Sequence, residues 1–171
     1  MEPIMTTFKG NRVFIFDPDP DTIRIEDIAH HLSLQNRFNG GTIRPYSVAA
    51  HCVYISNHLV DEEHAFEGLM HDAAEAYIGD MISPLKRHMP EFNRLEEQFY
   101  EVIANKFGLP VKLSEEVEEA DRLAAQIEMF QLRTQHMQDV DDRVITAPEL
   151  SYANWEEVKW KFLDRFSELA P

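Results

Sequence analysis

Apolar residues recur at helical spacing along most of this chain. Ile25, Ile28 and Leu32 lie three and four residues apart and predict a first helix that stops before the polar loop NRFNGG at 36–41. Val48, Cys52, Ile55 and Leu59 repeat the step in a second helix, with Ser47 placed to accept one of its free first-turn N–H groups. A third helix is expected from about Phe66 to Ile78. A fourth opens at Pro90, carries Phe92, Leu95, Phe99, Val102 and Ile103 on one side, and stops at Gly108. Ser114 caps a fifth, whose first turn holds Glu115 and Glu116 where the helix dipole favours them. Trp155, Val158, Phe162, Phe166 and Leu169 mark the last. Ahead of all these, TTFKGNRVFIFDPDPD reads as a hairpin turning around Lys9-Gly10-Asn11. The fold class expected is mainly α, a compact helical bundle with a short N-terminal β-hairpin.

The third helix breaks its own pattern. In GLMHDAAEAYIGDMISPLK, residues 68–86, the apolar Leu69 and Met70 are followed by His71 and Asp72, then Glu75, then Gly79-Asp80. In the second helix His51 follows Val48 by three and precedes Ile55 by four, so it too projects from the buried face. In the fifth helix Val117, Ala120, Ala124 and Ile127 set the apolar face, and Asp121 falls among them. Ionisable groups are costly to desolvate without partners. Each has a plain explanation: His51 as a hydrogen-bonded core residue, Asp121 paired with Arg122 or Arg133, Asp72 capping a loop, Glu75 on a solvated face. Together, two imidazoles and two carboxylates directed inward from three helices are satisfied at once by a divalent cation. Such a nitrogen and oxygen donor set suits Mn²⁺, Fe²⁺, Co²⁺ or Zn²⁺ better than Ca²⁺. Cys52 points about 100° away from His51 and reads as core.

Composition narrows the setting. The 171 residues are 44% apolar and 11% aromatic, enough for one domain with a real core. A formal net charge of −15 argues against a binder of nucleic-acid backbone, which needs a cationic face. The single cysteine allows no internal disulfide and fits a reducing compartment. The start, MEPIMTTFKGN, lacks the layout of a secretion signal, and no apolar run approaches a membrane span. A cytoplasmic protein, with no nucleic-acid or membrane partner, is the expectation.

The ordered motifs resemble the HD-domain metal-dependent phosphohydrolase superfamily, and within it the small 5′-deoxynucleotidase-like branch. HDAAEAYIGDMISPLK is similar to the block HD-x-x-E-x-x-x-G-D-x-x-x-P-x-K of that branch. YSVAAHC resembles its first-histidine helix, EEADRLAA the helix carrying the final aspartate, and LSLQNRFNGG the Asn-Arg-aromatic loop. The likeness covers roughly residues 25–128. The FDPDP…IEDIAH entrance and the terminal W…FLDRF helix also resemble phage-encoded dATP triphosphohydrolases. The GYP motif of the branch that cleaves cyclic dinucleotides is absent.

This resemblance implies one HD-type domain over 1–171: a hairpin or extension at 1–20, metal-site helices within 22–130 and a C-terminal helix at 154–169. It implies His51, His71, Asp72 and Asp121 as ligands of a divalent metal (Zn²⁺, Co²⁺, Mn²⁺ or Mg²⁺). Glu75 and Asp80 take catalytic positions. Arg37 matches the arginine that grips substrate phosphate, and Phe38 stands where the family usually has tryptophan under the sugar. Phe38, Gly40 and Pro84 would adjoin the base, while Ser83 and Lys86 lie beside the phosphate chain. Lys86 reads equally as an ordinary surface cation. The activity implied is attack at the α-phosphorus of a deoxynucleotide with release of the nucleoside, of the dATP triphosphohydrolase type. A 5′-deoxynucleotidase acting on monophosphates is the alternative, and a non-catalytic nucleotide-binding module of the same fold a second. Assembly into a homo-oligomer is also implied, and the last helix, with Trp155 and Trp160 on different faces, offers a surface for it.

Overall fold

The computed structural model of the chain describes residues 3–133 and 140–171, so Met1 and Glu2 of the expected extension lie outside the described residues. Strands β1 (Ile4–Thr6) and β2 (Arg12–Phe14) form the hairpin, antiparallel with Met5 opposite Val13, and Gly10 supplies the positive φ of the turn. Helices α1 (Ile25–Leu34) and α2 (Val48–His58) follow the predicted spacing, and the Ser47 side chain accepts the Ala50 N–H at the start of α2. The long helices α6 (Pro90–Phe107) and α7 (Glu115–Leu132) begin and end as their sequences indicate. Proline opens α6, left-handed Gly108 closes it, and the Ser114 side chain accepts the Val117 N–H to cap α7. The fold is mainly helical, with the short hairpin near its N-terminus. No helix among the described residues is long and apolar enough to cross a membrane.

The third helix differs from its expectation. It is not continuous over 66–78: α3 (Ala65–Met70) ends at the His71-Asp72 pair, and α4 (Glu75–Ile78) resumes beyond it. Between them the backbone tightens to bonds spanning three residues. Ala73 N–H donates to the Met70 carbonyl and Glu75 N–H to that of Asp72, both at 3.0 Å. One cause is local: Nδ1 of His71 donates to the Gly68 carbonyl at 2.9 Å, the acceptor an unbroken helix would offer to the Asp72 N–H. Two short helices had no clear periodic signal, α5 (Ser83–Lys86) and α8 (Asp142–Ile145).

The last helix, α9 (Trp155–Leu169), opens with a capping box. The Asn154 side chain accepts the Glu157 N–H, and the Glu157 carboxylate accepts the Asn154 N–H. It packs on α1, α2 and α3 and buries Val158 and Phe162 in the main core, which runs from Val13 in the hairpin through α1, α2, α3 and α6. The hairpin is pinned to this body by polar contacts. Asp27 of α1, fully buried, accepts the Lys9 N–H at 2.7 Å and the Asn11 side-chain amide at 3.2 Å. The His31 ring accepts the Phe8 N–H and donates to the Ala76 carbonyl in α4. Below α7, Glu67 of α3 accepts the backbone N–H and hydroxyl of Ser114, fixing the start of that helix against α3.

Candidate metal centre

Helices α2 and α7 and the tightened segment between α3 and α4 meet at one point, and each delivers what its sequence pattern aimed inward. Nε2 of His51 lies 3.2 Å from Nε2 of His71, 3.1 Å from Oδ1 of Asp121 and 3.6 Å from Oδ2 of Asp72. Nε2 of His71 is 3.2 Å from the same Asp72 oxygen and 3.9 Å from that of Asp121. A cation held tetrahedrally at about 2.0–2.2 Å from each ligand needs donor atoms about 3.4 Å apart, and these separations bracket that value.

Proton placement sharpens the point. Nδ1 of His51 faces a carboxylate oxygen of Glu128 at 2.6 Å, and Nδ1 of His71 faces the Gly68 carbonyl. Both partners are acceptors, so each ring carries a proton on Nδ1. The two Nε2 lone pairs then point at one another and at two carboxylates, an arrangement that only positive charge relieves. His51, His71 and Asp121 could therefore hold a metal ion, while Asp72 groups with His71 and Cys52 beside them.

The sequence has relatives. YfdR, an uncharacterized protein of Escherichia coli, is 47% identical over 115 residues, which is 67% of this chain and 64% of YfdR. An uncharacterized protein of Rhodobacter capsulatus is 34% identical over 136 residues, covering 72% of this chain and 69% of the relative. The chain belongs to their family. It spans slightly less than two thirds of YfdR itself. No family model matches the chain.

Titration at the centre follows from the crowding. Burial alone would push His71 down, but Asp72 and the Cys52 thiol outweigh it and raise its pKa well above the ordinary value. Burial and Arg37 likewise press His51 down, and Glu128 and Asp121 together leave it raised. Asp72 is held well below the usual carboxylate range: burial opposes this, and His71, His51 and Arg37 overcome it. Asp121 is lowered as well, burial being outweighed by the His51 hydrogen bond and the charges of His51 and His71. The centre draws positive charge by every route. Cys52 is core, as expected, although its sulfur comes within 4.8 Å of the His71 and Asp72 donor atoms. Burial pushes that thiol up to about 11, which keeps it neutral.

Glu75 is the unsatisfied member. It is 5% exposed, and its Oε2 has no hydrogen-bond partner among the described residues. Burial first, then the charges of Asp72 and Asp80, push its carboxyl well above the usual range. Asp80, half-buried after left-handed Gly79, is raised mainly by burial and feels Arg37, Asp72 and His51, so it belongs to the same electrostatic site. Gln35 spans this segment by donating to the Glu75 carbonyl at 3.0 Å and accepting the Asp80 N–H at 3.2 Å.

The residues expected to touch substrate are placed less uniformly. Arg37 lies within the cluster. Its Nε donates to Glu128 at 2.8 Å, while its outer nitrogens stand 3.5 Å from Asp72 and 4.0 Å from Asp121. Asp121 is thus partnered by Arg37 and not by Arg122, which pairs with Glu118 and Glu119, nor by Arg133, which lies over the Phe38 ring. Phe38 and Asn39 both hold left-handed backbone with φ of 55° and 52°, unusual for residues with a Cβ, and Gly40 continues the turn at 73°. Ser83 and Pro84 are exposed at the start of α5. Lys86 is not a free surface cation: its ammonium pairs with Glu96 of α6. The sequence reading missed Glu128 and Gln35. Glu128 had a signal, since it follows Asp121 by seven residues and adjoins Ile127 just as Asp121 adjoins Ala120.

Proposed function

We propose that this chain is an HD-type, divalent-metal-dependent phosphohydrolase of deoxynucleotides that attacks the α-phosphorus and releases the nucleoside. The observation that carries the reading is the meeting of two imidazole lone pairs and two carboxylates beside a buried carboxyl, Glu75, whose Oε2 has no partner among the described residues. His51, His71, Asp72 and Asp121 would hold the metal. When bound, a cation of this class lowers the pKa of a coordinated water and polarises a phosphoryl oxygen. Glu75, buried near Asp72 and Asp80, would accept a proton from the attacking water and return it to the leaving group. Arg37, with Nε committed to Glu128 and its outer nitrogens making only the longer 3.5 and 4.0 Å contacts to Asp72 and Asp121, would turn those outer nitrogens to a phosphate, a match a lysine ammonium does not reproduce. Phe38, half-buried with the Arg37 and Arg133 guanidiniums over its ring, would supply an apolar wall for sugar or base.

The entrance and terminal-helix motifs favour the dATP triphosphohydrolase type, with triphosphate as the second product. One observation favours the 5′-deoxynucleotidase alternative: Glu96 already occupies Lys86, the cation expected to neutralise outer phosphates. Assembly into a homo-oligomer belongs to the same proposal. Trp160 is 61% exposed on α9, and static light scattering measures the assembly directly. The deciding assay is product analysis on dNTPs and dNMPs with Mn²⁺, Co²⁺, Zn²⁺ and Mg²⁺ in turn. Triphosphate released from dATP supports the first type, and phosphate from monophosphates alone supports the second. Binding without turnover of either leaves the nucleotide-binding module.

A further inference from the structure

Glu128 is completely buried on α7, two helical turns beyond Asp121. A carboxylate at that depth is tolerable only when both oxygens are paired. Both are, and to different parts of the site. Oε1 accepts from Nδ1 of His51 at 2.6 Å, and Oε2 accepts from Nε of Arg37 at 2.8 Å.

We propose that Glu128 is a positioning residue that fixes the His51 proton on Nδ1, so that Nε2 is presented as a ligating lone pair, while the same carboxylate holds the Arg37 guanidinium beside the metal centre. The inference rests on the metal reading above. Imidazole has two neutral tautomers, and only the partner of one nitrogen decides which nitrogen is free to ligate. For His51 that partner is Glu128, 77 residues away on a different helix. Arg37 has the complementary need. With Nε committed to Glu128, its remaining nitrogens are directed toward Asp72 and Asp121. One carboxylate on α7 therefore serves a ligand on α2 and a cation from the loop after α1.

Glu128→Gln separates this role from simple filling of space. The amide has the same size but one acceptor oxygen and one donor nitrogen. Arg37 claims the oxygen, because its Nε–H can only donate. The amide N–H₂ then faces Nδ1 of His51, which receives it only by giving up its own proton, and that proton moves to Nε2 where a metal should bind. Side-chain ¹H–¹⁵N correlation spectra of the full chain, kept metal-free with chelator and recorded at a pH high enough that the ring holds a single proton, report which ring nitrogen carries hydrogen. The wild type should show a protonated Nδ1 on His51, and E128Q a bare one. Calorimetric titration with Mn²⁺ should give 10–100-fold weaker binding in E128Q. A bare Nδ1 in the wild type overturns the proposal, as does an E128Q protein that keeps its Nδ1 proton or binds Mn²⁺ within twofold of wild type. Should E128Q fail to fold, proton placement in the wild type decides alone. A wild type that binds no metal removes the metal reading instead, and the metal-free spectra still judge Glu128.

Discussion

Replacing Glu75 by Gln should make the protein more stable while ending the phosphohydrolase turnover proposed above. The wild-type side chain is 5% exposed, has an oxygen without a hydrogen-bond partner among the described residues, and sits within reach of Asp72 and Asp80. A buried oxygen without a partner costs at least about 1 kcal/mol. The upper limit follows from linkage: the folded protein can always escape the charge by protonating Glu75. An ordinary glutamate titrates at 4.5, so holding it protonated at pH 7 costs about 3.4 kcal/mol and no more. Gln removes the charge outright but keeps a buried amide in the same place, so the gain at pH 7 comes from the charge alone and is at most about 3 kcal/mol, a rise in Tm on the order of 5 °C for a chain of this length. The sign with pH is fixed. Because the folded-state pKa is raised, the wild-type penalty is absent below the ordinary glutamate value. It grows as pH climbs from 4.5 toward the raised value and is constant beyond. Urea unfolding of both proteins in chelator, at pH 7 and again near pH 4, measures this. A gain that is missing at pH 7, or equally large near pH 4, refutes the reasoning. Metal binding should survive in E75Q, and turnover should not.

His51→Ala and Asp121→Ala should each abolish tight metal binding, and Mn²⁺ calorimetry that matches wild type in either would remove that residue from the centre. Arg37→Ala strands Glu128 as a buried charge with only His51 for company, and denaturant unfolding should show a loss of about 3–5 kcal/mol. Asn154→Ala breaks the capping box of α9 and should lower stability by about 1 kcal/mol while leaving Mn²⁺ affinity unchanged, which separates global loosening from damage at the centre.

Helices were legible wherever periodicity, cap and stop agreed. Pro90 to Gly108 is a case where three independent local signals coincide, and Val48 to Leu59 behind Ser47 one where spacing and cap do. The interruption at His71-Asp72 was not legible, because a backbone that tightens to three-residue bonds leaves the apolar spacing of Leu69, Met70, Ala73 and Ala76 almost unchanged. The inward polar residues were visible as exceptions on apolar faces, and the structure brings His51, His71, Asp72 and Asp121 together. Their partners were harder to see. Glu128 resembles any glutamate of an acidic helix until α7 is laid against α2, and the commitment of Lys86 to Glu96 depends on how α5 folds onto α6. The left-handed backbone of Phe38 was hidden because the sequence around it, RFNGG, explains an irregular loop without specifying its hand.

The short ribbon at the N-terminus reaches further than its size suggests. The imidazole of His31 is clasped between the Phe8 amide and the Ala76 carbonyl, one residue beyond Glu75. A preparation clipped after Lys9 would keep every expected ligand yet lose the clasp on one side, leaving the ring free to release Ala76. Under the proposed function such material would keep its expected metal ligands while Glu75, next to the released Ala76, lost part of its support, and an assayer would blame the chemistry for a fault in the tether.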